Sequence, residues 1–178
     1  MVRKLSMDEL NRKSTEEFRM ASKNPFVIVL DNVRSQNNIG SIFRTADAFL
    51  AESIYLCGIT SVPPNKEIHK TALGATESVR WIYESSTLEA INKLKQENYI
   101  IIAFEQVEGS SSLVDFKPEK KRKYALVFGH EVHGIQQEVV NACDMCVEIP
   151  QIGTKHSLNI AVSAGIAIWE FFKQLNSK

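Results

Sequence analysis

Residues 125–135 read ALVFGHEVHGI, and residues 149–167 read IPQIGTKHSLNIAVSAGIA. In both stretches, an apolar run typical of a buried β-strand leads through a turn containing glycine into residues with helical spacing. Glycine lets the backbone turn sharply and approach a ligand closely. Two such units predict a parallel sheet with a ligand pocket at the carboxyl ends of its strands.

The same alternation of strand and helix runs through the rest of the chain, which predicts an α/β fold with helices on both faces of the sheet. A long polar loop is expected at residues 105–122. Residues 1–24 are interpreted as a helical extension that ends at Asn24-Pro25, and residues 25–178 as one globular domain. The predicted strands are 26–30, 54–57, 79–83, 99–104, 124–128 and 145–149, and the predicted helices are 38–51, 67–75, 86–97, 135–143 and 157–175.

Composition excludes several classes of protein. The 178 residues suffice for one domain with a proper core, and 44% of them are hydrophobic. Three cysteines argue against a disulfide framework, and no apolar run is long enough to span a membrane, so a cytoplasmic location is expected. The net charge of zero does not favour nucleic-acid binding by bulk electrostatics. Basic residues do cluster within 3–23 and 117–123; these are interpreted as surface charges, which would hold a phosphate backbone only if they share a face.

The first glycine-containing turn, residues 129–134, is neither a dinucleotide fingerprint nor a P-loop. It confines the carboxylate of Glu131, although an ordinary strand–helix turn also accounts for the pattern. In the second turn, Pro150 ends the strand and Gly153 supplies a bend. Helix capping is the simple account of Ser157.

Three further groups of residues have two interpretations each. Arg44, on the helix after Asn38, is either a surface arginine or a phosphate-binding or catalytic residue. Cys143 and Cys146 suggest a metal site, with histidines as further ligands only if the fold gathers them, but two small, buried residues at a helix–strand junction are the favoured interpretation because no second Cys/His pair has suitable spacing. These histidines are His130, His133 and His156. Both tryptophans are expected in the core or an interface.

Three blocks of the sequence together carry a family resemblance. They are NVRSQNNIGSIFRTA at 32–46, LVFGHEVHGI at 126–135, and residues 149–162. Their order and spacing resemble the SpoU (TrmH-type) branch of the SPOUT RNA methyltransferases, and the resemblance extends from Phe26 to the C-terminus.

This resemblance implies properties that periodicity did not indicate. The fold would be an α/β knot, in which the C-terminal segment threads a loop as a trefoil. The cofactor would be S-adenosylmethionine, and the reaction would be methyl transfer to a ribose 2′-hydroxyl of tRNA or rRNA. The sequence is more similar to the small tRNA-modifying members, which slightly favours tRNA. Members act as homodimers with the site at the subunit interface, and neither DNA nor a membrane is expected as a partner.

The resemblance also assigns roles to individual positions. Arg44 matches an arginine to which a base role has been given, but its very high pKa favours contact with a phosphate or with the developing oxyanion. The alternatives are a non-catalytic RNA- or cofactor-binding module on the same fold and a different α/β enzyme that uses a nucleotide. The implied catalytic positions are Asn38, Arg44, Glu131, Ser157 and Asn159, and the implied cofactor contacts are Glu105, Gly129, Gly134, Ile149, Gly153, Ser157 and Leu158.

Overall fold

A computed structural model describes residues 2–6 and 8–177 of the chain. Its seven strands form one parallel sheet in the order β3-β2-β1-β6-β4-β7-β5. The strands are β1 (Asn24–Asp31), β2 (Ala51–Cys57), β3 (Trp81–Glu84), β4 (Tyr99–Phe104), β5 (Ser111–Ser112), β6 (Lys123–Phe128) and β7 (Met145–Glu148).

Helices connect these strands, after a short 3-10 helix at Asp8–Leu10. No helix in the described part of the chain is long and apolar enough to cross a membrane. The helices are α1 (Thr15–Met20), α2 (Gln36–Ala48), α3 (Lys66–Ala72), α4 (Ala75–Ser78), α5 (Thr87–Gln96), α6 (Gln137–Ala142) and α7 (Ile160–Asn176).

The central strand β1 is buried on both faces, which confirms the predicted α/β layering. Phe26, Ile28 and Leu30 belong to one hydrophobic cluster, which contains the buried residues of α2, α3 and α7. Val27 and Val29 belong to the opposite cluster, which contains those of α5 and α6. Alternate residues of a strand point to opposite faces, so a continuous apolar run is what a doubly covered strand requires.

The position of β7 bears on the predicted knot. It lies between β4 and β5, which are consecutive in the chain. The loop that runs from β4 to β5 therefore has one end on each side of β7. This order is compatible with a C-terminal segment that threads that loop. The trefoil stays a prediction.

The N-terminal segment is less helical than predicted. Positions 1 and 7 lie outside the described residues, and α1 ends at Met20 rather than at Asn24-Pro25. Asn24 instead begins β1, because its backbone N–H pairs with the Leu50 carbonyl at 2.9 Å beside β2. Ser14 and Glu17 have the sequence spacing that predicts a capping box, and both of its hydrogen bonds are present. The division into an extension and a domain stays a prediction, and position 178 of that domain also lies outside the described residues.

Local backbone geometry corrects two of the predicted helices. The helix predicted at 67–75 is two helices, because Leu73 and Gly74 adopt left-handed conformations with φ of 50° and 89°. The spacing of Ser86 and Glu89 suggested a capping box, but Ser86 is an N-cap whose side chain makes no capping hydrogen bond.

Two other corrections concern the loop at 105–122 and the start of the last helix. The polar loop at 105–122 contains β5, because Ser111 and Ser112 pair with the edge of β7 despite having no strand-like pattern. The last helix begins at Ile160 rather than at Ser157. Its N-cap is Asn159, whose Oδ1 accepts the N–H groups of Ala161 and Val162.

Candidate functional site

The carboxyl ends of four neighbouring strands, β1, β6, β4 and β7, meet at one edge of the sheet. A pocket of about 370 Å³ opens beside β4, β6 and β7. Its wall combines aromatic and aliphatic side chains with polar groups, as in many small-molecule sites. The lining residues are Phe104–Gln106, Phe128–Val132, Gly134, Val147–Ile149, Gln151, Ser157–Ile160 and Ser163.

Glu131 joins the turn after β6 to the loop after β1. Its Oε1 accepts the backbone N–H of Ser35 at 2.8 Å and the side-chain amide of Asn38 at 3.1 Å. Its Oε2 accepts the backbone N–H of Arg34 at 3.0 Å. The carboxylate therefore fixes the N-terminal turn of α2 against the pocket.

Asn38 extends this connection to the last helix. Its Oδ1 accepts the side-chain N–H of Asn159 at 3.2 Å, while its Nδ2 donates to Glu131. Asn159 is also the N-cap of α7. Three residues from the three sequence blocks thus form one chain of hydrogen bonds, which we call the Glu131–Asn38–Asn159 network.

Hydrogen bonds to its carboxylate keep Glu131 ionised. Burial by itself raises the pKa of this carboxyl, but its hydrogen bonds favour the charged form and outweigh burial, so the pKa lies below the ordinary value of 4.5. The donors include the backbone N–H groups of Ser35 and Arg34 and the Asn38 amide. At neutral pH the turn therefore carries a fixed negative charge that is already used in structural hydrogen bonds.

Two glycines make the turn after β6 possible. A Cβ at Gly129 would lie 2.2 Å from backbone atoms of Gly134 and Ile135. Gly134 has a φ of +67°, and a Cβ there would lie 2.3 Å from Oε2 of Glu105. The turn is closed by two hydrogen bonds between His130 and Gly134, of 3.0 and 2.8 Å. No larger residue fits either glycine position without displacing its neighbours.

Glu105 lies in the pocket as expected, but its carboxylate already has partners. Oε2 accepts the Ile135 N–H at 2.9 Å, and Oε1 accepts the Gln106 N–H at 3.1 Å. The side chain therefore supports the turn, and each oxygen keeps further accepting capacity toward a ligand.

The other expected cofactor residues fall into two groups. Ile149, Ser157 and Leu158 line the pocket, together with Gly129 and Gly134. Gly153 does not line it, and a Cβ at that position would meet nothing within 4 Å. Its place in the site stays a prediction.

Arg44 lies outside this pocket. It is exposed on α2, and its side chain makes no hydrogen bond or ion pair with another described residue. Six residues separate it from Asn38, which places the two side chains about 120° apart around the helix axis. The structure therefore does not bring Arg44 to the Glu131–Asn38–Asn159 network of its own chain.

Sequence reasoning missed several residues of the pocket. The stacked rings of Phe104 and Phe128, with centroids 5.0 Å apart, line it. Gln106 also lines it and donates to the backbone carbonyl of His156 at 3.1 Å, which connects the loops after β4 and β7. The position of Phe104 and Phe128 at the ends of two predicted strands was the available sequence signal for these rings.

The metal interpretation concerned Cys143 and Cys146. No group of three potential ligands lies together among the residues that the structure describes. Cys143 and Cys146 are free thiols at the junction of α6 and β7, and they are partly buried rather than buried. Burial raises the pKa of Cys143 to about 12 and also raises that of Cys146, so neither is an activated nucleophile.

Comparison with known proteins identifies the family. A match to the SpoU rRNA Methylase family covers residues 25–169 and includes every residue of the network. The chain belongs to this family. The resemblance seen in the three sequence blocks is thereby confirmed.

Individual relatives agree with this assignment. The chain is 29% identical over 166 residues to the 23S rRNA (guanosine-2'-O-)-methyltransferase RlmB of Haemophilus influenzae, a match covering 93% of this chain and 67% of that protein. It covers only 59% and 60% of the proteins of the same name from Ralstonia nicotianae and Escherichia coli. The chain thus spans about three fifths to two thirds of the length of these relatives.

Two solved structures share the fold. One is the AdoMet-bound rRNA methyltransferase from Sinorhizobium meliloti, with 28% identity, a TM-score of 0.79, and coverage of 90% of this chain and 61% of that one. The other is a structure concerned with 2-OH methylation of C/U34 on tRNA. It has 26% identity, a TM-score of 0.74, and coverage of 84% of this chain and 95% of that one.

Proposed function

We propose that the protein is an S-adenosylmethionine-dependent RNA methyltransferase that modifies a ribose 2′-hydroxyl. The observation that carries the proposal is the Glu131–Asn38–Asn159 network. It joins one polar residue from each family block and borders a pocket at the carboxyl edge of the sheet. Ligands bind at this edge in open α/β sheets.

The residues of the pocket suit such a cofactor. The rings and aliphatic side chains of Phe104, Ile149 and Leu158 offer an apolar wall for a purine. Gly129 and Gly134 leave the backbone open to close approach, and Glu105 can accept from hydroxyl or amino groups. These groups support binding of S-adenosylmethionine through the turns after β4, β6 and β7, which the proposed trefoil would hold together.

Arg44 enters the proposal through a second copy of the chain. Because it is exposed and lies about 120° around α2 from Asn38, it is placed to serve a site on a partner. A homodimer with the pocket at its interface would let the guanidinium of one protomer contact RNA bound to the other. A planar guanidinium suits a phosphate or an oxyanion.

An exposed apolar stripe on α7 supports this dimer. Val162, Ile166 and Trp169 are 50%, 38% and 49% exposed, and their spacing places them on one side of the helix. Trp169 packs on Phe49 at the end of α2 and on Phe172, with centroids 5.6 and 5.9 Å apart. An exposed helix face of this kind is typical of a protein interface, and it lies beside the helix that carries Arg44.

The proposed chemistry is mainly positioning. When bound, S-adenosylmethionine supplies an electrophilic methyl group. The network holds the turns around the pocket in one arrangement, so that a ribose hydroxyl can be presented in line with that group. Arg44 of a partner would hold the RNA phosphate or stabilise negative charge on the attacking oxygen, and it would not act as a free base.

Both rRNA and tRNA are substrate classes to test, but the preferred class differs from the one that the sequence favoured. The expected slight preference for tRNA has no support from the curated relatives named above, which carry a 23S rRNA name. The C/U34 structure, which this chain matches over 95% of that chain's length, keeps tRNA as the second candidate. We therefore favour rRNA, in the cytoplasm.

The first experiment tests the cofactor. Calorimetry with S-adenosylmethionine, ATP and NAD should show binding of the first alone. Binding of ATP or NAD instead would indicate a different nucleotide-using α/β enzyme. Binding of S-adenosylmethionine without methyl transfer to any RNA would indicate a non-catalytic module.

The second experiment identifies the RNA. Transfer of a radiolabelled methyl group to total rRNA and to total tRNA should label rRNA, and mapping of 2′-O-methyl groups in a deletion strain should reveal the lost position. The Arg44→Ala variant should lose transfer while keeping cofactor binding. Near-wild-type turnover in Arg44→Lys would contradict the proposed contact, which depends on the planar guanidinium of arginine and which a lysine ammonium cannot reproduce.

A further inference from the structure

The start of α6 has an unusual arrangement of hydrogen bonds. Two consecutive backbone N–H groups donate to carboxylates that come from two different strands. Ile135 donates to Glu105 at the end of β4, and Gln136 donates to Asp31 at the end of β1, both at 2.9 Å. These bonds fix the point where the glycine turn of residues 129–134 enters the helix.

Asp31 is fully buried, with 0% of its surface exposed. Its Oδ1 accepts the Thr87 hydroxyl at 2.6 Å and the Asn32 side-chain amide at 3.0 Å, and its Oδ2 accepts the Gln136 N–H. Among the residues that the structure describes, it forms no salt bridge. A buried carboxylate is costly unless its hydrogen bonds are satisfied, so these three donors account for its presence in the core.

Asn32 strengthens the same connection. Its left-handed backbone, with a φ of 55°, directs its side chain toward Gln136, whose Oε1 accepts from the Asn32 amide at 2.9 Å. The Asn32 Oδ1 accepts the Ile59 N–H at 3.1 Å. Gln136 is thus held at both its backbone and its side chain by two adjacent residues at the end of β1.

The turn is consequently held at three places. Its start continues β6, its middle is held by Glu131 against the α2 turn, and its end is held by Glu105 and Asp31. Glu105 and Glu131 line the pocket, whereas Asp31 does not. Asp31 acts on the pocket only through the backbone that it fixes.

We propose that Asp31 is a positioning residue that orders residues 129–136, the glycine turn and the two residues after it, for binding of the cofactor. The cofactor part of this inference rests on the proposed function. A protein whose binding-competent turn is only fractionally populated binds its ligand more weakly by that fraction. Loss of Asp31 should therefore raise the dissociation constant and the KM for S-adenosylmethionine, with little change in kcat at saturating cofactor.

Two variants and one control test the proposal. Asp31→Ala removes all three acceptor contacts, and Asp31→Asn keeps the shape but loses the charge. The control, Asp144→Asn, changes a carboxylate that also accepts a backbone N–H, that of Ile101 at 2.8 Å, but at the amino edge of the sheet. Amide hydrogen exchange of the ligand-free proteins and calorimetry with S-adenosylmethionine provide two separate measurements.

In Asp31→Ala, exchange should accelerate in residues 130–137 more than elsewhere, and the dissociation constant should rise at least about tenfold, the effect of losing one charge-assisted hydrogen bond. Asp31→Asn should show the same pattern with a change of about threefold, and it carries the test if the alanine variant does not fold. The control should leave the turn and the binding unchanged.

The proposal is overturned if amide exchange accelerates uniformly across the protein. It is also overturned if residues 130–137 of a folded Asp31 variant exchange as slowly as in the wild type and the variant binds the cofactor with unchanged affinity. A failure of the proposed function gives a different result. In that case the wild-type protein does not bind S-adenosylmethionine, while the exchange comparison still decides whether Asp31 orders the turn.

Discussion

The substitution Glu131→Gln gives the sharpest test of the network, because it changes one oxygen of the side chain to a donor and preserves its size. The carboxylate accepts from Ser35 and Asn38 through Oε1 and from Arg34 through Oε2. Glutamine has only one acceptor oxygen. If that oxygen takes the Oε1 position, the Arg34 N–H faces the glutamine NH2 group, which is also a donor. In the opposite orientation, the contacts with Ser35 and Asn38 are lost.

The magnitude follows from the better of these orientations. One hydrogen bond to a charged group is lost, and two others become neutral, so the free energy of unfolding should fall by about 1.5–3 kcal/mol. For a chain of this size, that corresponds to a decrease in Tm of about 2–4 °C for each kcal/mol. The loss is a substantial fraction of the stability of a typical domain.

The pH dependence supplies an independent check. The pKa of Glu131 is lower in the folded protein than its ordinary value of 4.5. Its ionised form therefore stabilises the fold fully above about pH 4.5, and this contribution is lost as the pH falls through the folded-state pKa. The difference in stability between wild type and Glu131→Gln should be constant near neutral pH and should shrink below about pH 4.5.

Urea denaturation at pH 7 and at a series of acidic pH values measures both effects. Glu108→Gln is a suitable control, since Glu108 is exposed and its side chain forms no hydrogen bond or ion pair with the described residues. It should change stability by less than about 0.5 kcal/mol. Equal stability of Glu131→Gln and wild type at pH 7, or a difference that grows in acid, would refute the reasoning.

Three further predictions address the turn, the core and the proposed interface. Gly129→Ala should lower the free energy of unfolding by more than about 1 kcal/mol and weaken cofactor binding, because its Cβ meets backbone atoms at 2.2 Å; Gly153→Ala, whose Cβ would meet nothing within 4 Å, should change the free energy of unfolding in urea denaturation little. Phe171→Ala should cost about 3–5 kcal/mol in urea denaturation, since this ring has 0% exposure, and a loss below about 1 kcal/mol would contradict its place in the core. Ile166→Asp should convert the proposed dimer to a monomer in analytical ultracentrifugation and reduce methyl transfer, whereas Val114→Asp, at a site 77% exposed elsewhere, should leave the mass unchanged.

Strands with strong local signals were predictable from the sequence. The run at 99–104 forms β4 with the predicted bounds, and 124–128 forms all but the first residue of β6. Such strands are buried on both faces and need continuous apolar residues, which makes them visible without an alignment. β5 was not predictable, because Ser111 and Ser112 form a strand only by pairing with β7.

The N-cap of α7 shows why local patterns do not settle functional roles. Ser157 and Asn159 are both residue types that cap helices, and the sequence favoured capping as the account of Ser157. In the structure, Asn159 caps the helix and also contacts Asn38. The second partner lies 121 residues away in the chain, and its position depends on how α2 and α7 pack.

The sequence by itself determined the parallel α/β layering, the family, and several of the polar residues near the pocket, because these depend on periodicity and on motifs read along the chain. The tertiary structure alone decided how those residues are used. It placed Asn38, Glu131 and Asn159 in one network, left Arg44 facing outward, and set the buried Asp31 behind the turn. The physical reason is that hydrogen bonds between distant segments depend on strand order and helix packing, which local spacing does not encode.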